Sequence, residues 1–311
     1  MEHIEEICRM FQLSEAVSVK RLGDGHINDS YYVRTKDGTY ICQCMNSTMD
    51  TGRLEYNYAL YSGVFSEENL LYPVWMKDLS GRYFHKEKNG MTWRMYKYID
   101  GDILTVPLTA DELLACGQGL AHIHHILQRL PDIPHAVYPH LHDLAYYHKR
   151  YMDLLGSGNL LYEERDFETE EKINSGIEEM LATDLDGSFV VHGDAKLSNM
   201  VFKNGKVIAF VDLDTIMQGS LLEDIADCIR SCCIIDGSLN RKAAGILING
   251  YMSKAEGIIS EEEIARWPVA LRKICFELGL RYYTDSISKD KIFKEKYPGY
   301  LLTRARQLLG S

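Results

Sequence analysis

The chain has 311 residues, of which 46% are hydrophobic and 25% are charged, and its formal net charge is −11. This composition is that of a globular enzyme with a sizeable core. The negative charge excludes a general nucleic-acid binder, because such a protein needs a basic face that releases counterions from phosphates. The start, M-E-H-I-E-E, lacks the basic and apolar run of a signal peptide, and no apolar segment reaches membrane-spanning length. We therefore expect a cytoplasmic protein that does not bind membranes.

The first third of the chain predicts a β-sheet. Strand-like runs cover residues 18–22, 31–34 and 39–46. The segment between the first two runs, 23–30, has the position and length of a loop that covers nucleotide phosphates. A helical stretch follows over 52–64, and further strands are predicted over 71–99. The run ends at Gly101, which predicts an N-terminal lobe of residues 1–101 and a C-terminal lobe of residues 102–311.

Helical periodicity dominates after this boundary. Thr109 and Glu112 have the spacing of a capping box and open a helix whose apolar stripe extends to Leu127. Six further helical segments are predicted, over 142–155, 167–182, 220–234, 241–255, 260–288 and 300–309. The expected fold class is therefore α+β, with a small β-rich first lobe and a larger, mostly helical second lobe.

The chemistry-bearing stretch lies between residues 190 and 215. Asp194 precedes Asn199 by five residues, and an apolar hairpin that turns at Asn204-Gly205 leads to Asp212. Because the two ends of a hairpin lie side by side, Asn199 and Asp212 are predicted to converge as oxygen ligands of Mg²⁺. Asp194 is then free to orient an attacking hydroxyl and to accept its proton. This layout is typical of phosphoryl transfer in kinases.

The motif H-x-D-x-x-x-x-N, followed by V-D-L-D, resembles the catalytic segment of the aminoglycoside phosphotransferase and choline kinase superfamily. More narrowly, D-A-K at 194–196, V-D-L-D-T-I-M at 211–217 and D-I-A-D-C-I-R at 224–230 are similar to the N-acetylhexosamine 1-kinases. The resemblance implies a bilobal, protein-kinase-like fold and a kinase that uses Mg²⁺ and ATP. The leading acceptor is a sugar hydroxyl, namely the anomeric hydroxyl of an N-acetylhexosamine. We expect a monomer or weak dimer.

The resemblance also implies roles for individual residues near the nucleotide. Asp194 and Lys196 would be catalytic, with Lys196 balancing charge on the transferred phosphoryl group, while Asn199 and Asp212 would hold the metal. The loop G-H-I-N-D-S-Y-Y at 25–32 is similar to the corresponding loop of the hexosamine kinases, and W-R-M-Y-K-Y-I-D-G at 93–101 to the hinge between lobes. The implied nucleotide-binding residues are Gly23, Gly25, Asn28, Tyr98 and Ile99.

On the acceptor side, the resemblance implies that His26 faces the sugar and that Asp214 and Thr215 border its pocket. The last predicted helix contains L-L-T-R-A-R-Q, similar to a run from which an arginine reaches the sugar, so Arg304 and Arg306 are the candidates. Residues 130–147 would help to wall the cleft. Asp224 would brace the backbone of the catalytic loop.

One part of the kinase pattern is missing. Kinases place a lysine on the third strand, paired with a helix glutamate, to hold the α- and β-phosphates. The corresponding run here, Y-I-C-Q-C-M-N at 40–46, contains no basic residue; Cys44 stands where the relatives usually have arginine or lysine, although Glu55 occupies the place of the glutamate. Either nucleotide affinity is weak, or another cation compensates, the candidates being Lys36, Arg53 and Lys196.

Two alternatives to the sugar kinase remain open at this point. A kinase of an amino alcohol, such as choline, homoserine or an aminoglycoside, would keep the chemistry and change the acceptor, and acidic or aromatic pockets would suit its cation. A pseudokinase that binds nucleotide without turnover is suggested by the missing lysine, whereas the intact Asp194, Asn199 and Asp212 oppose it.

Overall fold

The computed structural model describes residues 2–22 and 28–310. Among the described residues of the first hundred there are two helices and five strands: α1 (Glu2–Met10), β1 (Ala16–Leu22), β2 (Asp29–Thr35), β3 (Thr39–Met45), α2 (Thr51–Phe65), β4 (His85–Lys86) and β5 (Thr92–Lys97). The strands form one antiparallel sheet in the order β1-β2-β3-β5-β4.

The two faces of this sheet have different neighbours. Successive side chains of a strand point to opposite faces. On β3 the buried Cys42 packs with apolar side chains of α1 and with Phe11, whereas Ile41 belongs to the main core of the protein. Cys44 lies on the α1 side with Cys42. Gln43 therefore faces the helical part of the chain, and the position that faces the cleft on the third strand is 43 rather than 44.

The remaining residues form eight helices and six short strands in the described part of the chain: α3 (Ala110–Leu127), α4 (Leu144–Leu155), α5 (Phe167–Ala182), β6 (Phe189–Val191), β7 (Met200–Lys203), β8 (Lys206–Phe210), β9 (Met217–Gly219), α6 (Leu221–Cys233), β10 (Ile234–Ile235), β11 (Ser238–Leu239), α7 (Arg241–Met252), α8 (Glu261–Ile264), α9 (Trp267–Ser286) and α10 (Tyr300–Leu309). The capping box of Thr109 and Glu112 is present at the start of α3, as predicted.

Helices α3 and α7 cross at very short range. A Cβ atom at Gly117 would lie 2.0 Å from the carbonyl oxygen of Leu247, and one at Gly250 would lie 2.3 Å from that of Leu114. Only glycine permits this approach of two backbones. The crossing fixes α3, which carries His124 toward the catalytic loop.

Some element boundaries differ from those predicted. Helices α5 and α10 match the predicted segments, but the predicted helix 260–288 is interrupted between α8 and α9. The predicted strands over 71–99 reduce largely to β5, with the two-residue β4 and an isolated bridge between Trp75 and Tyr96. The segment 71–99 is held largely by buried side chains such as Trp75 and Phe84.

The two parts of the chain join close to the predicted boundary, and the domain limits themselves stay a prediction. Asp102 and Phe202 exchange two backbone hydrogen bonds of 2.8 Å, which tie the connecting segment to β7. A Cβ atom at Gly101 would lie 2.6 Å from the carbonyl oxygen of Phe202, so this contact requires glycine. Within residues 2–22 and 28–310, no helix combines the length and apolar character needed to span a membrane.

Candidate active site

The loop that follows β6 is held by a buried carboxylate from α6. Asp224 accepts hydrogen bonds from the backbone N–H groups of His192 (2.7 Å) and Gly193 (2.8 Å), and it contacts Nε2 of the buried His124 at 3.1 Å. Gly193 has φ 80°, and a Cβ atom there would lie 2.4 Å from the carbonyl oxygen of Thr215. The predicted bracing role of Asp224 is therefore confirmed, and position 193 of the loop requires glycine.

The β7–β8 hairpin brings the two ends of the motif together. Asn204 and Gly205 both have positive φ, as a two-residue hairpin turn requires. The N–H of Val211 donates to the carbonyl of Asn199 (2.9 Å), and Nε2 of His192 lies 3.0 Å from the carbonyl of Val211. Asp212 follows in a left-handed conformation with φ 60°. Asn199 and Asp212 thus stand at adjacent ends of one hairpin.

Asp194 is the centre of a compact polar group. Lys196 Nζ makes a short ion pair with Asp194 Oδ2, and the amide nitrogen of Asn199 donates to the same oxygen (3.0 Å) and to the Asp194 carbonyl (2.8 Å). Burial opposes ionisation of Asp194, but Lys196, with smaller contributions from His192 and Arg230, lowers the pKa of the carboxyl group below its usual value. Asp194 is therefore an ionised hydrogen-bond acceptor at neutral pH, in a position open to the cleft.

Asp212 differs from Asp194 in its electrostatic surroundings. Water reaches its carboxylate in the cleft, but the enclosing protein, followed by Asp214 and Asp194, raises the pKa of Asp212 to about 7. A divalent cation would relieve this crowding of negative charge. Because both amide hydrogens of Asn199 point toward Asp194, its side-chain oxygen is left as a ligand. The donor set, one amide and one carboxylate oxygen, fits Mg²⁺ completed by phosphate and water.

This metal site would depend on the nucleotide. In the described part of the chain, no cluster of three or more His, Cys, Asp and Glu side chains is arranged to hold a metal ion. Two protein ligands suffice for Mg²⁺ only when phosphate oxygens supply further positions. The residues present therefore fit a metal that enters together with a nucleotide.

Arg94 on β5 also lines the cleft, and its role was not predicted from the sequence. Its guanidinium donates to both carboxylate oxygens of Asp214 (2.7 and 2.9 Å) and to Oε1 of Gln43 (2.7 and 3.2 Å), and it lies 4.5 Å from the Trp75 ring centroid. Both side chains of the pair are only 3% exposed. Burial lowers the pKa of Arg94, but the charge and hydrogen bonds of Asp214, with smaller contributions from Tyr96 and Tyr61, raise this pKa above its ordinary value, so the guanidinium stays charged.

The cleft between the two lobes has a volume of about 970 Å³, which is large enough for a nucleotide and a small acceptor. Its apolar end is lined by Leu22, Ile41, Ile99, Ile103 and Val201. The predicted nucleotide residues Asn28, Tyr98 and Ile99 all line the cleft, and Asn28 Oδ1 accepts from the Asn46 N–H (3.0 Å). The other predicted residues of this loop, Gly23, Gly25 and His26, lie outside the described residues.

The opposite end of the cleft is assembled from distant segments. Helix α6 contributes Asp227 and Arg230, which pair at 2.8 Å, and α9 contributes Glu277 and Arg281, which pair at 3.5 Å. Aromatic rings complete the wall, namely Tyr138, Tyr147, Tyr282 and Phe293. The predicted contribution of residues 130–147 to the wall of the cleft is thus present, whereas the charged pairs were not predicted as part of a site.

Cation–π contacts and a buried carboxylate hold this wall in place. The Arg281 guanidinium lies 4.5 Å from the Tyr147 ring centroid and 5.4 Å from that of Phe293. Asp285 accepts hydrogen bonds from the N–H groups of Ile292 and Phe293, both at 2.7 Å, and so fixes the loop that follows α9. His142 reaches the catalytic loop, where its Nε2 lies 2.9 Å from the Gly193 carbonyl.

The charged pairs could have been noticed in the sequence. Glu277 and Arg281 lie four residues apart in a helix that is buried on most of its surface. Charged residues are seldom fully buried unless they are paired. Their presence in a helix without a continuous polar face is the signal that marks them as site candidates.

Other predicted residues have different partners from those expected. Both oxygens of Asp214 accept hydrogen bonds from Arg94, which orients this carboxylate toward the guanidinium, and Asp214 and Thr215 both line the cleft. Arg306 is 55% exposed and pairs with Asp166 at 2.7 Å. Arg304 donates to Gln307 (2.7 Å). Neither arginine is among the described residues that line the cleft.

The cations proposed to replace a third-strand lysine are also separated by the structure. Lys196 lines the cleft. Arg53 donates to the carbonyl of Ala136 (2.8 Å), and Lys36 lies in the exposed turn between β2 and β3. Neither of these two is among the described residues of the cleft wall. Lys196 and the unpredicted Arg94 are therefore the cations that border the cleft near the metal-ligand candidates.

Comparison with known proteins finds similarity to phosphotransferases. A family model described as "Phosphotransferase enzyme family" (APH) matches residues 18–251. The chain is 22% identical over 298 residues to a homoserine kinase of Rhodopseudomonas palustris (strain BisB18), with 92% of this chain and 85% of that protein covered.

Two solved structures show the fold. A microcompartment-associated aminopropanol kinase has a TM-score of 0.71 and 15% identity, covering 99% of this chain and 94% of that one. An amicoumacin kinase in complex with AMP-PNP, Ca²⁺ and Ami has a TM-score of 0.67 and 12% identity, covering 99% and 92%. These likenesses confirm the predicted protein-kinase-like fold, with an antiparallel sheet in the first lobe and a helical second lobe.

Proposed function

The chain belongs to the APH phosphotransferase enzyme family, and we propose that it transfers the γ-phosphoryl group of ATP to a hydroxyl of a small sugar, the anomeric hydroxyl of an N-acetylhexosamine being the first candidate. The observation that carries the proposal is the group of Asp194, Lys196 and Asn199, which borders one cleft together with Asp212. The apolar end of that cleft suits a nucleotide base, and the polar, aromatic end suits the acceptor.

Each residue of this group has a role that follows from its contacts. Asp194 would accept a hydrogen bond from the acceptor hydroxyl, orient its oxygen toward the phosphorus, and take its proton as the new bond forms. Lys196, already paired with Asp194, would supply positive charge beside the transferred group. Asn199 and Asp212 would hold Mg²⁺, which when bound neutralises charge on the phosphate oxygens.

The charge balance at the acceptor end favours a neutral acceptor. Asp227 is paired with Arg230, and Glu277 with Arg281, so the two carboxylates are matched by two guanidiniums. Burial, partly offset by His142 and Arg281, raises the pKa of Glu277. A balanced set of donors and acceptors beside aromatic rings suits a molecule with many hydroxyl groups and no net charge.

One observation favours a second candidate, an amino alcohol. The Oδ2 atom of Asp227 is buried beside the cleft and has no hydrogen-bond partner among the described residues. An unpaired buried carboxylate oxygen is costly, and an ammonium group would satisfy it. Similarity to proteins named homoserine kinase and aminopropanol kinase also supports an amino-alcohol acceptor. A sugar hydroxyl or amide N–H could also donate to this oxygen.

The test is a panel of acceptors in which release of ADP is measured at fixed Mg²⁺ and ATP. The panel contains N-acetylhexosamines, the corresponding hexoses, homoserine, aminopropanol, choline and an aminoglycoside, and each is repeated with Asp194→Asn to subtract background hydrolysis. We expect the highest kcat/KM for an N-acetylhexosamine, with the phosphate at the anomeric carbon by NMR. Turnover of amines alone would replace the sugar with the second candidate. Nucleotide binding without turnover of any acceptor would indicate a pseudokinase.

A further inference from the structure

The ion pair between Arg94 and Asp214 connects the two lobes in the buried interior of the protein. Arg94 belongs to the sheet of the first lobe, and Asp214 lies two residues after Asp212 in a short 3₁₀ turn of the second. The pair is bidentate, with distances of 2.7 and 2.9 Å, and each side chain is 3% exposed. Bidentate arginine–carboxylate pairs are the strongest and most directional of protein ion pairs.

The guanidinium is held on its other edge by the first lobe. Gln43 lies opposite Arg94 in the β3–β5 ladder, and its Oε1 accepts from Nε and Nη2. The amide nitrogen of Gln43 donates in turn to Ser30 Oγ on β2 (3.0 Å), and the Trp75 ring covers the guanidinium at 4.5 Å. The arginine therefore has a fixed orientation that does not depend on Asp214 alone.

The turn that Asp214 occupies also sets the direction of Asp212. Asp212 has φ 60°, an uncommon conformation for a non-glycine residue that persists where the surroundings impose it. Its carbonyl accepts from Thr215 Oγ1 (3.2 Å), which closes the turn from the other side of Asp214. Anchoring Asp214 therefore restricts the segment 213–216, which connects Asp212 to strand β9.

The same pair stands where a kinase lysine is missing. The cleft-facing position of the third strand is Gln43, which carries no charge, and Arg94 beside it on the next strand supplies a cation instead. Its carboxylate partner comes from the catalytic segment rather than from a helix of the first lobe. An ion pair between a sheet cation and a carboxylate is thus present, but it joins Arg94 to Asp214 instead of a third-strand lysine to a helix glutamate.

From these contacts we propose that Arg94 is a positioning residue: through Asp214 and with support from Gln43, it holds Asp212 in the orientation that binds the metal of a metal–nucleotide complex. This inference rests on the proposed function, because it requires that Asp212 binds a divalent cation together with a nucleotide. It assigns to Asp214 a role in positioning rather than in contact with the acceptor.

A buried pair also affects folding, so the test must separate stability from positioning. Removing one partner leaves an uncompensated buried charge and destabilises a protein strongly, whereas replacing both partners with apolar residues of similar size is often close to neutral. The variants are therefore Arg94→Gln, the double variant Arg94→Met with Asp214→Leu, and Arg94→Lys, which keeps the charge but lacks the planar fork. Arg272→Gln, which removes an exposed pair with Glu179, is the matched control.

The measurement is the dissociation constant of ADP with and without Mg²⁺, by isothermal titration calorimetry, alongside the thermal midpoint of unfolding. We expect Mg²⁺ to strengthen ADP binding in the wild type and in Arg272→Gln. The double variant is expected to recover the midpoint that Arg94→Gln loses, yet to show at least a tenfold smaller gain from Mg²⁺. For Arg94→Lys we expect a gain in ADP affinity from Mg²⁺ that lies between those of the wild type and the double variant.

Two results would overturn the inference, and they differ. A folded double variant with the wild-type gain from Mg²⁺ would show that the pair stabilises the fold without positioning Asp212, and the proposed function would stand. A wild type in which Mg²⁺ has no effect on ADP binding would remove the metal site itself, and both proposals with it.

Discussion

The two ends of the cleft are built in different ways. The catalytic floor uses residues 192–215, and backbone hydrogen bonds to Asp224, Asn199 and Val211 fix most of it. The acceptor end takes side chains from residues 138–147, α6, α9 and the loop after α9, which come from separate parts of the chain and are joined by packing, cation–π contacts and hydrogen bonds. The first is local in the chain, and the second exists only in the folded molecule.

This difference separates chemistry from specificity. Backbone hydrogen bonds and short spacings leave the floor little freedom, so a substitution there changes the reaction rather than the choice of acceptor. At the acceptor end, side chains such as Arg281 and Phe293 line the cleft, whereas the fold is held by other side chains, such as the buried apolar residues of α9. A fold of this kind can keep its reaction and change its acceptor by altering those side chains.

The largest effect on activity is expected from a substitution within residues 192–215. Asp194→Asn removes the ionised acceptor for the hydroxyl proton, and kcat should fall about 10²- to 10⁴-fold. ADP binding and the midpoint of unfolding should change little, because Asn retains an oxygen that can accept from Lys196 and Asn199. Asp153→Asn, at an exposed pair with Lys149, is the control. A decrease of less than tenfold would rule out Asp194 as the base.

Asp224→Ala tests whether the floor depends on its brace. It removes the partner of two backbone N–H groups and of His124, all buried, and should lower the free energy of unfolding by about 3–5 kcal/mol. Urea unfolding measures this, and Asp224→Asn, which keeps one oxygen, should lose less. If Asp224→Ala is as stable as Asp153→Ala, the catalytic loop is held by contacts within residues 192–215 and does not depend on Asp224.

The sequence was sufficient for the floor because every constraint there is short in range. Asn199 is the fifth residue after Asp194, and an Asn-Gly turn between apolar runs predicts a hairpin whose ends meet. Helix caps such as Thr109 with Glu112 were readable for the same reason. The fold class and its two lobes followed from these patterns and from the resemblance that they carry.

The Arg94–Asp214 pair and the acceptor end of the cleft could not be predicted from short-range sequence patterns. Arg94 meets Asp214 across 120 residues, and nothing in the strand pattern distinguishes it from an exposed arginine. Cys44 seemed to occupy the lysine position, but strand alternation places it on the α1 side and Gln43 on the cleft side. A shift of one residue in a strand reverses its faces, so the register had to come from the folded sheet.

A smaller effect, confined to the acceptor, is expected at the other end of the cleft. Arg281→Met removes the pair with Glu277 and the contacts with the Tyr147 and Phe293 rings. We expect KM for the acceptor to rise about 10- to 100-fold, as for loss of a charged hydrogen-bonding group, with KM for ATP unchanged. Arg272→Met on the same helix is the control. Equal changes in both KM values would mean that the two ends are not separate.

The smallest effect concerns Arg306, for which resemblance and structure give different partners. Hydrogen bonds from Arg306 lower the pKa of Asp166, the N-cap of α5, to about 2. A carboxyl group with a lowered pKa stabilises the fold above its usual pKa of 3.8, and this contribution is lost as the pH falls through about 2.

Arg306→Ala should therefore lower the free energy of unfolding by about 1 kcal/mol at pH 7, because the arginine is mostly exposed and solvent screens the pair. The difference from wild type should shrink between pH 4 and pH 2, as measured by urea unfolding at each pH. The acceptor KM should stay the same, since Arg306 lies outside the described wall of the cleft. A raised acceptor KM at pH 7, with unfolding unchanged, would instead return Arg306 to the acceptor site and weaken the division between the two ends.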